Sequence, residues 1–365
     1  MSDAPSSNES WSVPCEGCGA RLEYAPGTEV LECPYCGNRQ AIVRTGGEIR
    51  EYRLDAALAE HTRTRLDDLL PSGQAVSCEN CSAITVLEHQ ADRCPYCDSP
   101  VVVDLEAGKA AIYAPESVLP FGLDRNAAKQ AFRRWVKGLW FAPNDLWKRA
   151  RAEAIDGVYL PYWTFDSRTA TRYTGQRGEH YWVTEHYTDA EGQRRSRQVR
   201  RTRWYPATGT VRVDFDDLLI CATRSLPDKL IYALEPWDLG HLRPFAPAYL
   251  SGFLAERYRV ELNEGFDIAD QRMRPRIRTS IHAAIGGDEQ RINSMDVAHS
   301  DVHFKHLLLP LWISSFRYRR RVYRFIVNAR TGEVAGERPW SWLKITLAVI
   351  AVLVLLGLGL GLAQR

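Results

Sequence analysis

The chain has 365 residues, of which 45% are apolar, 25% charged and 10% aromatic, a composition that excludes a disordered, collagenous or multi-spanning protein and predicts two or three folded units. Its formal charge of +2 hides a split. Residues 1–114 hold nine basic and eighteen acidic side chains, and residues 115–344 hold thirty-seven and twenty-seven, so an acidic head precedes a basic body.

Residues 1–10 are polar and Ser-rich and read as a disordered tail. Eight of the nine cysteines then form four C-x-x-C pairs. Cys15, Cys18, Cys33 and Cys36 define a first module over 11–45, and Cys78, Cys81, Cys94 and Cys97 a second over 72–105. A C-x-x-C turn places two thiolates on one knuckle, and a second knuckle completes a closed tetrahedral shell with no position left for catalysis. The expectation is two structural Zn2+ ions per chain, with iron the competing metal because thiolates accept both. Four tandem pairs argue against a thioredoxin-like redox motif. The repeated CPYC strings, starting at Cys33 and Cys94, mark an internal duplication. Between the modules, Asp55 and the leucines up to Leu70 predict a helical linker within 46–71, stopped by Pro71.

The segment 106–339 reads as an α+β domain. Asp124 is placed to cap a helix running to Leu139, and Asn144 a shorter one to Ala152. Alternating patterns predict strands over Val158–Tyr173, Glu179–Tyr187 and Arg195–Trp204, the last two joined by a turn. Helical patterning returns at Ala248–Tyr258 and at Leu262–Ile285, the latter interrupted by the Arg-rich stretch around Pro275, and strands resume from Arg291 to Glu337. The strings LPYW (Leu160–Trp163) and LPLW (Leu309–Trp312) suggest two related β-units.

Ile345–Ala363 carries no charge, and its nineteen residues would reach about 28 Å as a helix against a hydrocarbon core of about 30 Å. It is expected to form a transmembrane helix over 342–363, a tail anchor in the inner membrane that leaves the N-terminal bulk in the cytoplasm. Gly357 and Gly361 form a weak G-x-x-x-G helix-pairing signal, which leaves a homo-oligomer open. The expected fold class is therefore multidomain: two small β zinc ribbons joined by a helix, an α+β body with antiparallel strands, and one C-terminal transmembrane helix.

The ribbons are too acidic to neutralise phosphates easily, and protein docking suits them better than nucleic acid. The basic clusters lie elsewhere: Arg194, Arg195, Arg197, Arg200, Arg201 and Arg203 on one strand, and Arg317, Arg319, Arg320, Arg321 and Arg324 among aromatics. Three readings remain open for them: solvated or internally paired strands, contact with membrane lipid, and nucleic acid. The opposed charges also predict that the head folds back onto the Arg-rich strands. His299, His303 and His306 are a weak alternative ligand set, and Cys221 reads as a buried thiol. No phosphate-loop, dinucleotide-binding, nucleophile-elbow or zincin motif occurs, so no enzyme is expected.

Taken with the terminal apolar segment, the CPYC modules and the strings LPYWTFD, YTGQRGEHYWVTE and VNARTGEVAGERPWS resemble the bacterial membrane-tethered TFIIB-type zinc-ribbon proteins. That family is often labelled as similar to primosomal protein N′ (replication factor Y). The resemblance implies a non-enzymatic zinc-ribbon adaptor on the cytoplasmic face, working beside phage-shock or SPFH-type membrane scaffolds in envelope stress. The alternative is a replication-linked nucleic-acid-binding protein without a motor.

Overall fold

The structure is a computed structural model, which describes residues 13–42, 47–60, 64–65, 74–78, 83–87, 94, 96, 101–103, 111–146, 155–188, 190, 192–319 and 321–363. Strands β1 (Glu23–Tyr24), β2 (Val30–Glu32) and β3 (Arg39–Ala41) form a small sheet, followed by β4 (Tyr52–Arg53) and helix α1 (Leu54–Glu60). Then come β5 (Thr64–Arg65), β6 (Gln74–Cys78), β7 (Ile84–Leu87), β8 (Val101–Val103), β9 (Ala111–Ile112) and β10 (Ser117–Val118). Helix α2 (Arg125–Gly138) leads to two very long strands, β11 (Asp156–Thr188) and β12 (Arg194–Cys221). The rest is α3 (Asp228–Tyr232), β13 (Arg243–Pro244), β14 (Leu254–Glu256), α4 (Leu262–Ile285), β15 (Glu289–Tyr318), β16 (Arg321–Asn328), β17 (Val334–Gly336) and α5 (Trp342–Ala363).

The expected fold class needs correction: strands make up 44% of the described residues, and most of them join one large sheet. β15 and β11 pair antiparallel at its centre, and β6, β7 and β8 of the second cysteine module extend the same sheet through β14. At the base of the sheet both faces are buried. Tyr159, Trp163, Phe304, Leu308 and Trp312 enter one core, while Val158, Leu160, Tyr162, Leu307, Leu309 and Leu311 enter the other. A strand covered on both faces reads as a continuous apolar run.

The two matching strings lie side by side, with Leu160 opposite Leu309. Around that pair the hydrogen bonds repeat. Trp163 Nε1 donates to Val260 O and Trp312 Nε1 to Leu123 O, both at 2.9 Å. The amides of Arg259 and Val260 donate to Ala222 O, and those of Gly122 and Leu123 to Ala329 O. Ala222 N donates to Pro161 O, as Ala329 N does to Pro310 O. β10 lies parallel to β15 and β14 parallel to β11. Two units, β10-α2-β11-β12 and β14-α4-β15-β16, are thus related by a pseudo-twofold axis.

Asp124 caps α2 by accepting from Ala127 N at 2.7 Å. Helix α4 is continuous through Pro275, because Ala269, Met273, Ile277, Ile281 and Ile285 recur every fourth residue and pin one face to the sheet. Residues 248–258 are not helical beyond a 3-10 turn at Pro247–Leu250, since β14 follows. The linker helix is short, with Asp55 inside its first turn and paired with Arg53, and the predicted helix from Asn144 to Ala152 falls largely outside the described residues.

The transmembrane expectation is also corrected. Among the described residues no helix is long and apolar enough to cross a membrane. The tail anchor, the membrane assignment and the single-pass inner-membrane location with a cytoplasmic bulk fall with it. The described apolar side chains of α5, from Leu343 to Leu356, are largely exposed, and the helix joins the body where Lys344 Nζ donates to Trp140 O and Ala142 O beside a cavity of about 750 Å3.

Candidate metal centre and basic arm

The loops on either side of β1 and β2 bring Cys15, Cys18, Cys33 and Cys36 together, with all four sulfurs within 4.8 Å of one another. Cys15 and Cys36 are 3.4 Å apart and Cys18 and Cys33 3.5 Å. A Zn–S bond of about 2.3 Å sets a tetrahedral S···S edge of about 3.8 Å, so the cluster has the size of a four-thiolate metal site. Each knuckle closes in the same way. Cys15 N donates to Ala20 O at 2.6 Å and Cys33 N to Asn38 O at 2.8 Å, while Gly19 N and Gly37 N donate back to the carbonyls of Cys15 and Cys33. Gly19 and Gly37 both sit at φ +72°, the left-handed region that such a turn demands and a Cβ disfavours.

The sulfurs are electrostatically unequal. Burial resists ionisation of Cys15, but the amides of Gly17 and Cys18 with the side chains of Cys36 and Asn38 outweigh it and bring the thiol down to about 6. At Cys36 the Asn38 amide favours the thiolate, and the three neighbouring sulfurs overcome it and push the thiol up to about 12. A bound cation would remove that mutual repulsion, because thiolates are its ligands. Thiolates close every position of a tetrahedral shell, so the chemistry of this donor set is structural.

The second module is described in part. Cys78 and Cys94 are buried in one core with Ala83 and Tyr96, and Cys78 N donates to Ala83 O at 3.0 Å, the same five-residue closure as in the first module's knuckles. Cys81 and Cys97 lie outside the described residues.

The first ribbon is fastened to the body. Tyr24 N donates to Ser251 O, Gly27 N to Phe121 O and Ser251 Oγ to Leu22 O, and the Tyr24 ring meets Tyr249 edge-on at 5.3 Å. Among the ion pairs described, Arg243–Glu29 at 3.4 Å joins ribbon to body, so the ribbon docks by backbone and aromatic contacts at the join of the two units and not on Arg194–Arg203.

Those six arginines are all exposed, on the part of β12 farthest from the base. Arg197 and Arg201 pair with Glu185 at 3.1 and 2.6 Å, and Arg203 lies 5.0 Å over Tyr181. In the second cluster Arg319 is exposed over Tyr318 and Arg324 half-buried. The backbones of Arg317 and Arg321 sit in the β15–β16 ladder, and Arg320 lies outside the described residues.

His299, His303 and His306 do not converge, and the cysteine cluster is the one metal-sized group among the described residues. His306 is buried, donates from Nδ1 to Tyr113 O, and is lowered by that burial to about 4. His299 Nδ1 meets Ser167 Oγ at 2.9 Å and its Nε2 meets Asp270 at 3.1 Å. Ser167 is only 1% exposed, so this chain of groups ties α4 to the sheet and offers no accessible nucleophile. Burial pushes Cys221 up to about 12, as an inert thiol requires. Sequence reasoning missed Lys305, buried and paired with Glu51 at 2.7 Å and Asp217 at 2.6 Å next to Asp166. Its partners lie far apart in sequence, and no local signal announces them.

No family model matches the chain, and no solved structure does. It is 28% identical over 342 residues, 92% of each chain, to "Uncharacterized protein YdjG" of Bacillus subtilis (strain 168).

Proposed function

We propose that the chain is a non-enzymatic zinc-ribbon adaptor of the TFIIB-type group, holding two structural Zn2+ ions and making protein–protein contacts through its acidic ribbons. The observation that carries this reading is the closed four-thiolate cluster at Cys15, Cys18, Cys33 and Cys36, fastened to a rigid sheet. The matching knuckle closure at Cys78 supports a second ion on Cys78, Cys81, Cys94 and Cys97. The partner class that the sequence resemblance suggests is a phage-shock or SPFH-type scaffold.

Metal analysis of the full chain tests the reading: two zinc ions in the wild type and one in the Cys33→Ser, Cys36→Ser double variant. One ion shared between modules, or an unchanged content in the variant, defeats it. For the adaptor role, crosslinking in intact cells followed by mass spectrometry should give partner peptides joined to ribbon residues, and their persistence in the double variant would defeat it.

A further inference from the structure

β11 and β12 outrun the rest of the sheet. β15 leaves β11 at the pair Gly178↔Glu289, while β11 and β12 remain paired to Thr188↔Arg194. Ten paired residues on each strand therefore project, about 33 Å at ~3.3 Å per residue. None of their side chains is buried on either face. Such a two-stranded ribbon is marginal alone in water, so a surface of this kind is suited to a partner.

Residues directly opposite in a ladder share a face. The register puts Arg195, Arg197, Arg201 and Arg203 on one face with Tyr181 and Tyr187, and Arg194 and Arg200 on the other with Trp182, which is 66% exposed. Cations on both faces discriminate between partners. A lipid surface or a flat acidic protein face meets one side of a ribbon and leaves the other unused, and a second copy of the arm is repelled by like charge. A groove with phosphates on both walls meets both sides, and the major groove of B-form DNA, about 12 Å wide, admits a two-stranded β-ribbon.

We propose that this arm binds double-stranded DNA by lying along a groove with one face turned to each wall, so that the arginines of both faces reach phosphates. Between the two strands the sequence carries Asp189 and Glu191, acids that phosphates repel. The paired part of the arm holds six arginines against Glu179 and Glu185, a net of four cations.

The test uses the full chain and a fluorescent duplex of about 20 base pairs, read by anisotropy. Neutralising about four phosphates gives a slope of about −3.6 in log K against log salt, a loss on the order of a hundredfold between about 50 and about 200 mM. Arg200→Glu with Arg203→Glu should weaken binding at least tenfold and flatten the slope, with an unchanged melting curve because both side chains are exposed. Asp189→Asn with Glu191→Gln should tighten it. The proposal is overturned by absence of duplex binding at the lower salt, or by equal binding of the arginine variant. Equal affinity for a single strand of the same length, or for vesicles containing phosphatidylserine, would overturn it too. Arm-dependent binding should survive in the Cys33→Ser, Cys36→Ser variant, which separates this outcome from that of the metal reading.

Discussion

The two β-units share a base and differ in what they build on it. In each, a tryptophan reaches across to the loop before the other unit's helix, and a proline carbonyl accepts from an alanine amide. Beyond the base, β16 turns back after Tyr318, whereas β11 runs on to Thr188 and returns as β12. The base is held by burial on both faces and the arm by strand pairing with exposed cross-strand contacts. Identical local chemistry can therefore serve stability in one region and leave the other free to specialise.

The largest way to disturb this arrangement is through the metal site, because the first ribbon is held at the join of the two units. Structural zinc contributes on the order of 10 kcal/mol to small modules, and the Cys33→Ser, Cys36→Ser variant should lose that ribbon. Leu22, Tyr24 and Leu31 belong to the body's own core, so the body should also melt at a lower temperature by circular dichroism. An unchanged body transition would show that the ribbon is a separate appendage and the shared core a fiction.

Next come the tryptophans. Trp163 and Trp312 are 0% and 3% exposed, and truncating a buried Trp to Ala costs about 3–5 kcal/mol. If the units are energetically as well as geometrically alike, Trp163→Ala and Trp312→Ala should lower the urea midpoint by similar amounts. A negligible cost at one site would break the symmetry.

How much of this was legible depends on how local the cause is. The ligands of the first site could be read because a C-x-x-C knuckle is a short-range device, and the cap at Asp124 for the same reason. The long strands could not. Gly175 interrupts the pattern in β11, yet a Cβ there would stand 2.3 Å from Arg291 O, so the glycine is required by a close approach and does not end the strand. The break that Pro275 suggested in α4 was overruled by the sheet beneath it. LPYW and LPLW agree at three of four letters, and their meaning lay in partners near residues 123, 222, 260 and 329, which no local pattern connects. At α5 hydropathy alone was a poor guide, since it specified an apolar helix and no more.

Asp166 sharpens the comparison further, because the equivalent position in the second unit is Ser315. Burial, with the carboxylates of Glu51 and Asp217 nearby, pushes Asp166 up to about 6 against an opposing hydrogen bond from Asp217 N. An acid raised above its unfolded value of about 3.9 holds an extra proton in the native state, so its contribution to stability is greatest below that value and is lost as pH rises through about 6. Asp166→Asn keeps the acceptor for Asp217 N and removes the titration. The variant should gain stability relative to wild type as pH rises from about 4 to about 7. Glu51 runs the other way: its hydrogen bond to Lys305 holds it below the usual range, so its contribution is lost as pH falls. A wild-type minus variant difference that does not change with pH would remove Asp166 as the source.

The smallest expected effect concerns the arm, and it separates the two regions most cleanly. Replacing 181–201 by a two-residue Asn-Gly turn between His180 and Thr202 leaves a hairpin of the favoured type directly above the three-stranded sheet. Among the described residues deleted no side chain is buried, and the ion pairs of Glu185 with Arg197 and Arg201 are exposed pairs of the kind that contribute about 0.2–1 kcal/mol or nothing measurable. Against this the shortened chain has less backbone to order, and ordering a residue costs about 1–2 kcal/mol. The opposing contributions nearly cancel along a solvated ribbon. The urea midpoint should therefore move by no more than about 0.5 kcal/mol equivalent, as for other surface changes. A strongly destabilised variant would mean that the arm folds onto something within the chain and the base does not stand alone. Unchanged stability with duplex binding abolished would place binding in the arm and stability in the base.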